Sequence, residues 1–312
     1  MNPLPPEEAT EFGLAASKAF AALGAVDAAR RAEEDPAFRS KQVAGALDAL
    51  GLEDLDPRAD PDALAVAAAV CESAGRAALP YPIASALLAD DDGRPFAVVP
   101  DGTPKVDHGD LFPEWTVSTG SGSMALARPV RERLGTVLGP FVTDVELGET
   151  VGGPAPIDHH LALTASAVLG VVDRALELAV QHVNGRIQFG KPIANFQAVQ
   201  FQLADCAVAG AGLRELTNFT LWRIAEDVHT ARPDVLALRV HSIDVARQVL
   251  RISQQLHGAA GVCDEYDVSV LTRMVQPALR LPWSAERTAA ALADAIDEHG
   301  FEGLFPHGGV PA

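Results

Sequence analysis

The sequence predicts a mainly α-helical protein: an N-terminal helical domain, a reduced middle β unit and a C-terminal four-helix bundle. Three observations carry that prediction. Residues 6–90 and the chain from Asp158 onward hold apolar residues at helical spacing, with Asp or Pro at the starts of runs and Gly at their ends, the order that helix capping favours. Residues 93–155 hold short runs rich in Val, Thr or other apolar residues, broken by Gly and Pro, the texture of short strands. The helical runs after Asp158 are long and their connections short, as in a bundle. The resulting boundaries are 1–92, 93–155 and 156–312.

In the first unit, "EEATEFGLAASKAFAALG" and "DPAFRSKQVAGALDALGL" carry the helical spacing, and "PDALAVAAAVCESAGRAA" follows Pro61. "ALPYPIASALLADDDG" breaks the series with prolines on either side of a tyrosine. In the middle unit the candidate strands are "RPFAVVPDG", "EWTVSTG", "MALARPV" and "GTVLGPFVTDVEL". In the bundle, the first helix carries a stripe of Leu161, Ala165, Val168, Val172, Ala175 and Ala179 and is apolar on most other faces too, which predicts burial among its neighbours. "NFQAVQFQLADCAVAGAGLRELTNFTLWRIAEDV" makes the second helix, "DVLALRVHSIDVARQVLRISQQLHG" the third behind Pro233, and "SAERTAAALADAIDEHG" the fourth. No internal repeat or low-complexity segment is present.

The composition excludes several classes. With 48% hydrophobic and 21% charged residues in 312, the chain reads as folded and soluble. A net charge of −18 argues against nucleic acid as a partner, since that surface wants a basic footprint. No uncharged apolar run approaches the roughly 20 residues that span a bilayer, and "MNPLPPEEATEF" does not read as a signal peptide. Cys71, Cys206 and Cys263 match no zinc spacing, so no metal is expected and a reducing, cytoplasmic compartment is.

Two constellations carry chemistry. In "GRIQFGKPIANFQAVQFQLADC", Arg186 ends the first bundle helix and Phe189-Gly190-Lys191-Pro192 turn the chain into the next. An arginine fork donates two parallel hydrogen bonds to a pyrophosphate, a glycine lets the backbone approach, and a phenylalanine can lie against a flat ring. Taken alone, the same run is equally a helix C-cap with an exposed arginine. In "QQLHGAAGVCDEYDVSVLTR", a long helix ends in Gln255, His257 and Gly258, followed by a Gly/Ala loop and then Glu265, Asp267 and Arg273. That too is an ordinary helix end when taken alone.

Together, "RIQFGKPIANFQAVQFQLAD" and, about 50 residues later, "QLHGAAG…DEYDV…R" resemble the acyl-CoA dehydrogenase flavoprotein family, as does the order of the three units. "AAAVCESAGRAALPYPIASALLA" is similar to part of that family's N-terminal domain. The resemblance implies FAD bound between subunits and α,β-oxidation of an acyl-CoA thioester by proton abstraction and hydride transfer. It implies that Arg186 contacts the FAD pyrophosphate, that Gln188, Phe189 and Gln197 lie along the same cofactor edge, and that Gln255 and Gly258 reach FAD from a neighbouring subunit.

The sequence departs from the family at the base. Most members carry a glutamate where this chain has Pro282; a minority carry it on the first bundle helix, where this chain has His160 beside His159. His160 is therefore a candidate base, set against a solvated helix start with Asp158 as N-cap. Glu265 and Asp267 are expected to make structural hydrogen bonds in their loop. The middle-domain motifs "T-E-P-x-x-G-S-D" and "W-x-x-N/T" are also missing, with "TGSGSMALARP" a poor substitute. Losing the base and flavin-ring contacts while keeping the pyrophosphate features resembles the short subunit of heteromeric, steroid-type actinobacterial acyl-CoA dehydrogenases. On that resemblance a full-length partner subunit supplies the base, and an enlarged cavity takes a bulky ring-containing thioester. The alternatives are a self-sufficient dimer or tetramer with an unusual base, and a non-catalytic scaffold that has lost FAD.

Overall fold

The computed structural model describes residues 5–120, 122–130 and 138–299. Helices α1 (Glu7–Ala22), α2 (Val26–Glu34), α3 (Ala44–Ala49, entered through a π turn), α4 (Pro61–Arg76) and α5 (Ile83–Ala86) form the N-terminal unit. The start of α4 follows the capping rule: the Asp60 carboxylate accepts from the Ala63 N–H, and Pro61 fills the first turn, where no N–H is needed.

The middle unit is a five-stranded sheet in the order β1-β3-β4-β5-β2. Its strands are β1 (Phe96–Val98), β2 (Lys105–Val106), β3 (Trp115–Ser118), β4 (Met124–Pro129) and β5 (Thr143–Val151). Only β1 and β3 run parallel, Phe96 opposite Thr116, and both are buried along their whole length. Three expected strands fall in place. The fourth forms only from Thr143, residues 135–137 lying outside the described residues. The pair Lys105–Val106 was not expected; too short to show a period, it pairs with Thr143 and Asp144 and brings the following residue, Asp107, against the helices.

Helix α6 (Ile157–Gly185) is the axis of the molecule, packed on α4 on one side and α8 (Arg232–His257) on the other. All six residues of its expected stripe are buried. The contact with α4 is a backbone-to-backbone approach: a Cβ at Gly75 would meet the Ala167 carbonyl oxygen at 1.8 Å, and one at Gly170 the Glu72 carbonyl oxygen at 1.9 Å. Only glycine fits at either position. Beyond α6, the hairpin β6 (Ile187–Gln188) and β7 (Lys191–Pro192) leads into α7 (Gln197–Asp227). Arg214 on α7 grips Glu72 of α4 through two hydrogen bonds of 3.0 and 2.9 Å. After α8 come α9 (Asp267–Met274), α10 (Gln276–Arg280) and α11 (Ala285–His299), so α6, α7, α8 and α11 are the expected bundle.

Two local expectations fail. Asp158 does not cap α6: the position before the helix is Pro156, and the carboxylate pairs with Arg232 at the head of α8 instead. Asp267 is not a loop residue but the first residue of α9, where it pairs with Arg30 and Arg174.

Candidate functional site

The residues singled out in the sequence lie at opposite ends of α6. At its start, His160 and Pro282, the two positions where a base was sought, line one cavity of about 140 Å³ together with Tyr81, Ser85, Val98 and Asp107. His160 is not the solvated ring that a helix start suggests. Its Nε2 lies 3.2 Å from Ser85 Oγ, its edge stands on Phe96, and its buried Nδ1 has no hydrogen-bond partner. Burial first, and the nearby Arg239 guanidinium second, push its pKa down to about 4, so the ring is neutral near pH 7.

Pro282 is held from behind. Arg239, only 2% exposed, donates to the carbonyl oxygens of Ala278 (3.3 Å), Leu281 (2.6 Å) and Trp283 (3.0 Å). Among the described residues no carboxylate comes within ion-pair distance of it, and burial lowers its pKa to about 10. A buried cation therefore organises the segment where the family usually carries an acid. A single arginine in a helical run gives no sequence signal for this.

The one carboxylate lining the cavity comes from the middle unit. Asp107 follows β2, and its Oδ1 accepts the His108 N–H at 3.1 Å. His108 is buried in a left-handed backbone conformation (φ 54°), its ring stacked on Phe141 at 4.8 Å. Arg39, 1% exposed, donates to His108 Nδ1 (3.2 Å), forks onto Asp110 (3.0 and 2.5 Å) and covers the other ring, Phe141, at 4.1 Å. Burial, then the Arg39 charge, hold the His108 pKa well below the ordinary value, so the ring is neutral. An acceptor role for Nδ1 places its proton on Nε2, which lies 3.9 Å from Asp107 Oδ2. None of these five residues was singled out in the sequence.

The other end of α6 carries the arginine. Arg186 follows the helix, with its backbone N–H still bonded to the His182 carbonyl oxygen (2.9 Å). Phe189 (φ 51°) and Gly190 (φ 79°) form the β6–β7 turn, the doubly left-handed geometry of a two-residue hairpin, in which a phenylalanine is strained. Phe189 is 90% exposed. Arg186, Gln188, Gln197 and Gln255 are exposed, and among the described residues their side chains make no hydrogen bond or ion pair. Gln255 and Gly258 (φ 63°) close α8 at the same end, tied to α6 by the His182 and His257 rings, 4.2 Å apart. Both constellations thus meet within one chain, as an unspent arginine, a bare ring and three free amides. Such a set fits a pyrophosphate with a flat ring system attached. Among the described residues no group of His, Cys, Asp or Glu is placed to hold a metal ion, and no single helix is long and apolar enough to cross a membrane.

Residues 156–279 match the family described as "Acyl-CoA dehydrogenase, C-terminal domain". Over 106 residues the chain is 34% identical to acryloyl-CoA reductase (NADH) of Anaerotignum propionicum, and over 127 residues 32% identical to the acyl-CoA dehydrogenase FadE28 of Mycobacterium tuberculosis. Those matches take in 34% and 41% of this chain but only 26% and 37% of the relatives' lengths. Among solved structures, the steroid ACAD Tcur3481–Tcur3483 superposes with a TM-score of 0.78 at 21% identity over 94% of this chain and 98% of that one. The ChsE4–ChsE5 complex of M. tuberculosis gives 0.78 at 18% over 96% and 99%. Residues 156–279 thus match the acyl-CoA dehydrogenase C-terminal domain, and 94–96% of the chain superposes on solved proteins of the acyl-CoA dehydrogenase fold.

Proposed function

We propose that the chain is a subunit of an FAD-dependent acyl-CoA dehydrogenase in which each flavin is shared between two subunits. One observation carries the proposal. His160 lies in the first turn of α6 and Arg186 directly follows its last residue, Gly185, so the two are 26 positions apart along an unbroken helix, about 39 Å at 1.5 Å per residue. That is farther than an extended dinucleotide reaches. A flavin whose pyrophosphate is gripped by Arg186 therefore presents its ring to the cavity of another subunit. Phe189, Gln188 and Gln197 line the same exposed edge, and Gln255 and Gly258 complete it. The outer face of α7 beside it carries exposed Phe201 (59%) and Val208 (74%), an apolar surface for that second subunit.

Bound FAD would supply the hydride acceptor for α,β-oxidation of an acyl-CoA thioester. What this chain contributes is the grip on the pyrophosphate and a pocket beside α6. The mixed-subunit arrangement is supported by the likeness to ChsE4–ChsE5 and by the absence of a carboxylate at positions 160 and 282. The pocket restricts the acyl group: about 140 Å³ is close to the roughly 150 Å³ cavity that takes a benzene ring. A fused-ring acyl group of the steroid kind needs space that the partner provides.

The test is a flavin absorbance spectrum of the full chain purified alone, and again after co-expression with a full-length family member encoded beside it. One FAD per pair of unlike chains is the expected result. Stoichiometric FAD on the lone chain makes it a homo-oligomer, and no flavin in either preparation makes it a non-catalytic subunit.

A further inference from the structure

We propose that Asp107 is the proton-accepting carboxylate of the cavity beside α6, removing the α-proton of a compact acyl thioester bound there. The inference rests on the acyl-CoA reading above. It departs from the expectation that a partner must supply the base.

The geometry carries it. The two family positions for a base, 160 and 282, meet on one cavity, and the only carboxylate among the residues lining that cavity is Asp107. It enters from the middle unit, by a strand too short to attract notice. Its side chain keeps 35% of its surface while its neighbours His108 and Arg39 are closed off, so a ligand in the cavity can reach it. Its orientation is fixed by the His108 N–H on Oδ1 and by His108 Nε2 near Oδ2, with Arg39 and Asp110 holding the imidazole in turn. A base oriented by a second group, itself held by a third, is the arrangement that proton transfer needs. The left-handed backbone at His108 is a strained conformation for a non-glycine residue, and such strain persists where surrounding contacts impose it.

The electrostatics agree. Burial is the main cause that lifts the Asp107 pKa, to about 7; the Asp110 charge adds to it, and the His108 N–H and the Arg39 charge oppose it. Lys105, two residues before Asp107 on β2, is already paired with Asp144. His160, lining the same cavity, is neutral near pH 7 and a weaker acceptor. A carboxylate titrating near 7 is far better matched to general-base work than one near 4.

The step balances without an oxidant. The α-C–H bond breaks, its electron pair passes into the thioester carbonyl as an enolate, and the proton goes to an Asp107 carboxylate oxygen. The buried Arg239 cation, within electrostatic reach of His160 and without a carboxylate of its own, favours the negative charge that develops there. Reversal returns a proton to the same carbon.

The experiment is therefore exchange in D2O. The full chain, with whatever flavin and partner it co-purifies, is incubated with (methylthio)acetyl-CoA, whose sulfur replaces the β-methylene so that no hydride can leave. Loss of the α-CH2 proton signal is followed by NMR. The expected result is catalysed exchange with an apparent pKa near 7, slowed about 100-fold or more in Asp107→Asn and partly restored in Asp107→Glu. Exchange unchanged in Asp107→Asn, or no exchange in the wild type, overturns the proposal. Should Asp107→Asn fail to fold, the wild-type pH profile decides, because an inflection near 4 in place of 7 also overturns it. A flavin spectrum of the same samples separates the two ideas. Bound flavin without exchange sinks only Asp107, whereas exchange by the co-expressed pair of chains without flavin supports Asp107 and sinks the dehydrogenase reading.

Discussion

Arg239 Nη2 donates to the Leu281 carbonyl oxygen at 2.6 Å, so a buried guanidinium fixes the peptide that leads into the cavity wall at Pro282. Replacing Arg239 by Met removes three charge-assisted hydrogen bonds and also the cost of burying the cation. The expected balance is a loss of about 2–4 kcal/mol, read as a lower urea midpoint. The same variant should raise the His160 pKa from about 4, since the nearby cation is one of the two causes depressing it. It should stay below the ordinary value, because burial remains. An imidazole titration by NMR gives that number, and an unmoved His160 would contradict the electrostatic account.

Gly75 and Gly170 let α4 and α6 touch backbone to backbone. Alanine at either site drives a Cβ to within 2 Å of a carbonyl oxygen on the other helix, and backbone has no rotamer with which to yield. Each substitution is expected to cost more than about 3 kcal/mol or to prevent folding, at the overpacking extreme. Gly45, inside α3 with nothing within 4 Å of the point where a Cβ would stand, is the control: alanine there should stabilise by up to about 1 kcal/mol. Chemical denaturation of the three variants tests the contrast.

How far the sequence carries the reading differs from place to place, for physical reasons. The α6 stripe from Leu161 to Ala179 is legible because one helix shows its whole period in consecutive residues. The hairpin at Phe189-Gly190 is legible as a turn for the same local reason. The burial of His160 is not, because the residues that cover it, Ser85 and Phe96, come from α5 and β1, and no local pattern reports them. Asp158 has the right residue type for a cap, but Arg232, 74 positions away, takes its carboxylate. The Asp107 cluster is invisible in the sequence. Arg39, His108, Asp110 and Phe141 come from three separate stretches, and the left-handed backbone at His108 is set by tertiary packing, not by residue type.

With the proposed flavin site, Phe189 sets function against stability. It is 90% exposed and sits at φ 51°, so glycine should relieve strain and leave packing almost untouched. Phe189→Gly is expected to raise stability by about 1 kcal/mol. If the ring lies along the flavin edge, the same change lowers flavin affinity by about tenfold. Arg186→Ala should leave the denaturation midpoint within about 0.5 kcal/mol of wild type, as exposed positions do, while flavin occupancy falls further than in Phe189→Gly. Absorbance and denaturation curves on the same preparations read both quantities, and a stability loss in Arg186→Ala would mean a structural role instead.

The pH dependence of stability separates Asp107 from the histidines around it, because the signs are opposite. His160 and His108 have folded pKa values below their unfolded ones. The unfolded chain therefore takes up protons first, and they remove stability as pH falls below about 6.5. Asp107 has a folded pKa, about 7, above its unfolded value of 3.8. Between those values the unfolded state has already released its proton while the native state still holds it, so Asp107 removes stability as pH rises. Asparagine can still accept the His108 N–H and does not titrate. The stability of the wild type minus that of Asp107→Asn should therefore be level below about pH 4, fall from there to about 7, and be level above. Charges on Arg39 and Asp110 act on both proteins alike, apart from their effect on this one carboxyl. A difference curve level over that interval, rising only below about pH 4, would place the carboxylate in its charged form throughout, held by Arg39 as an ordinary ion pair and unavailable as an acceptor poised near neutral pH.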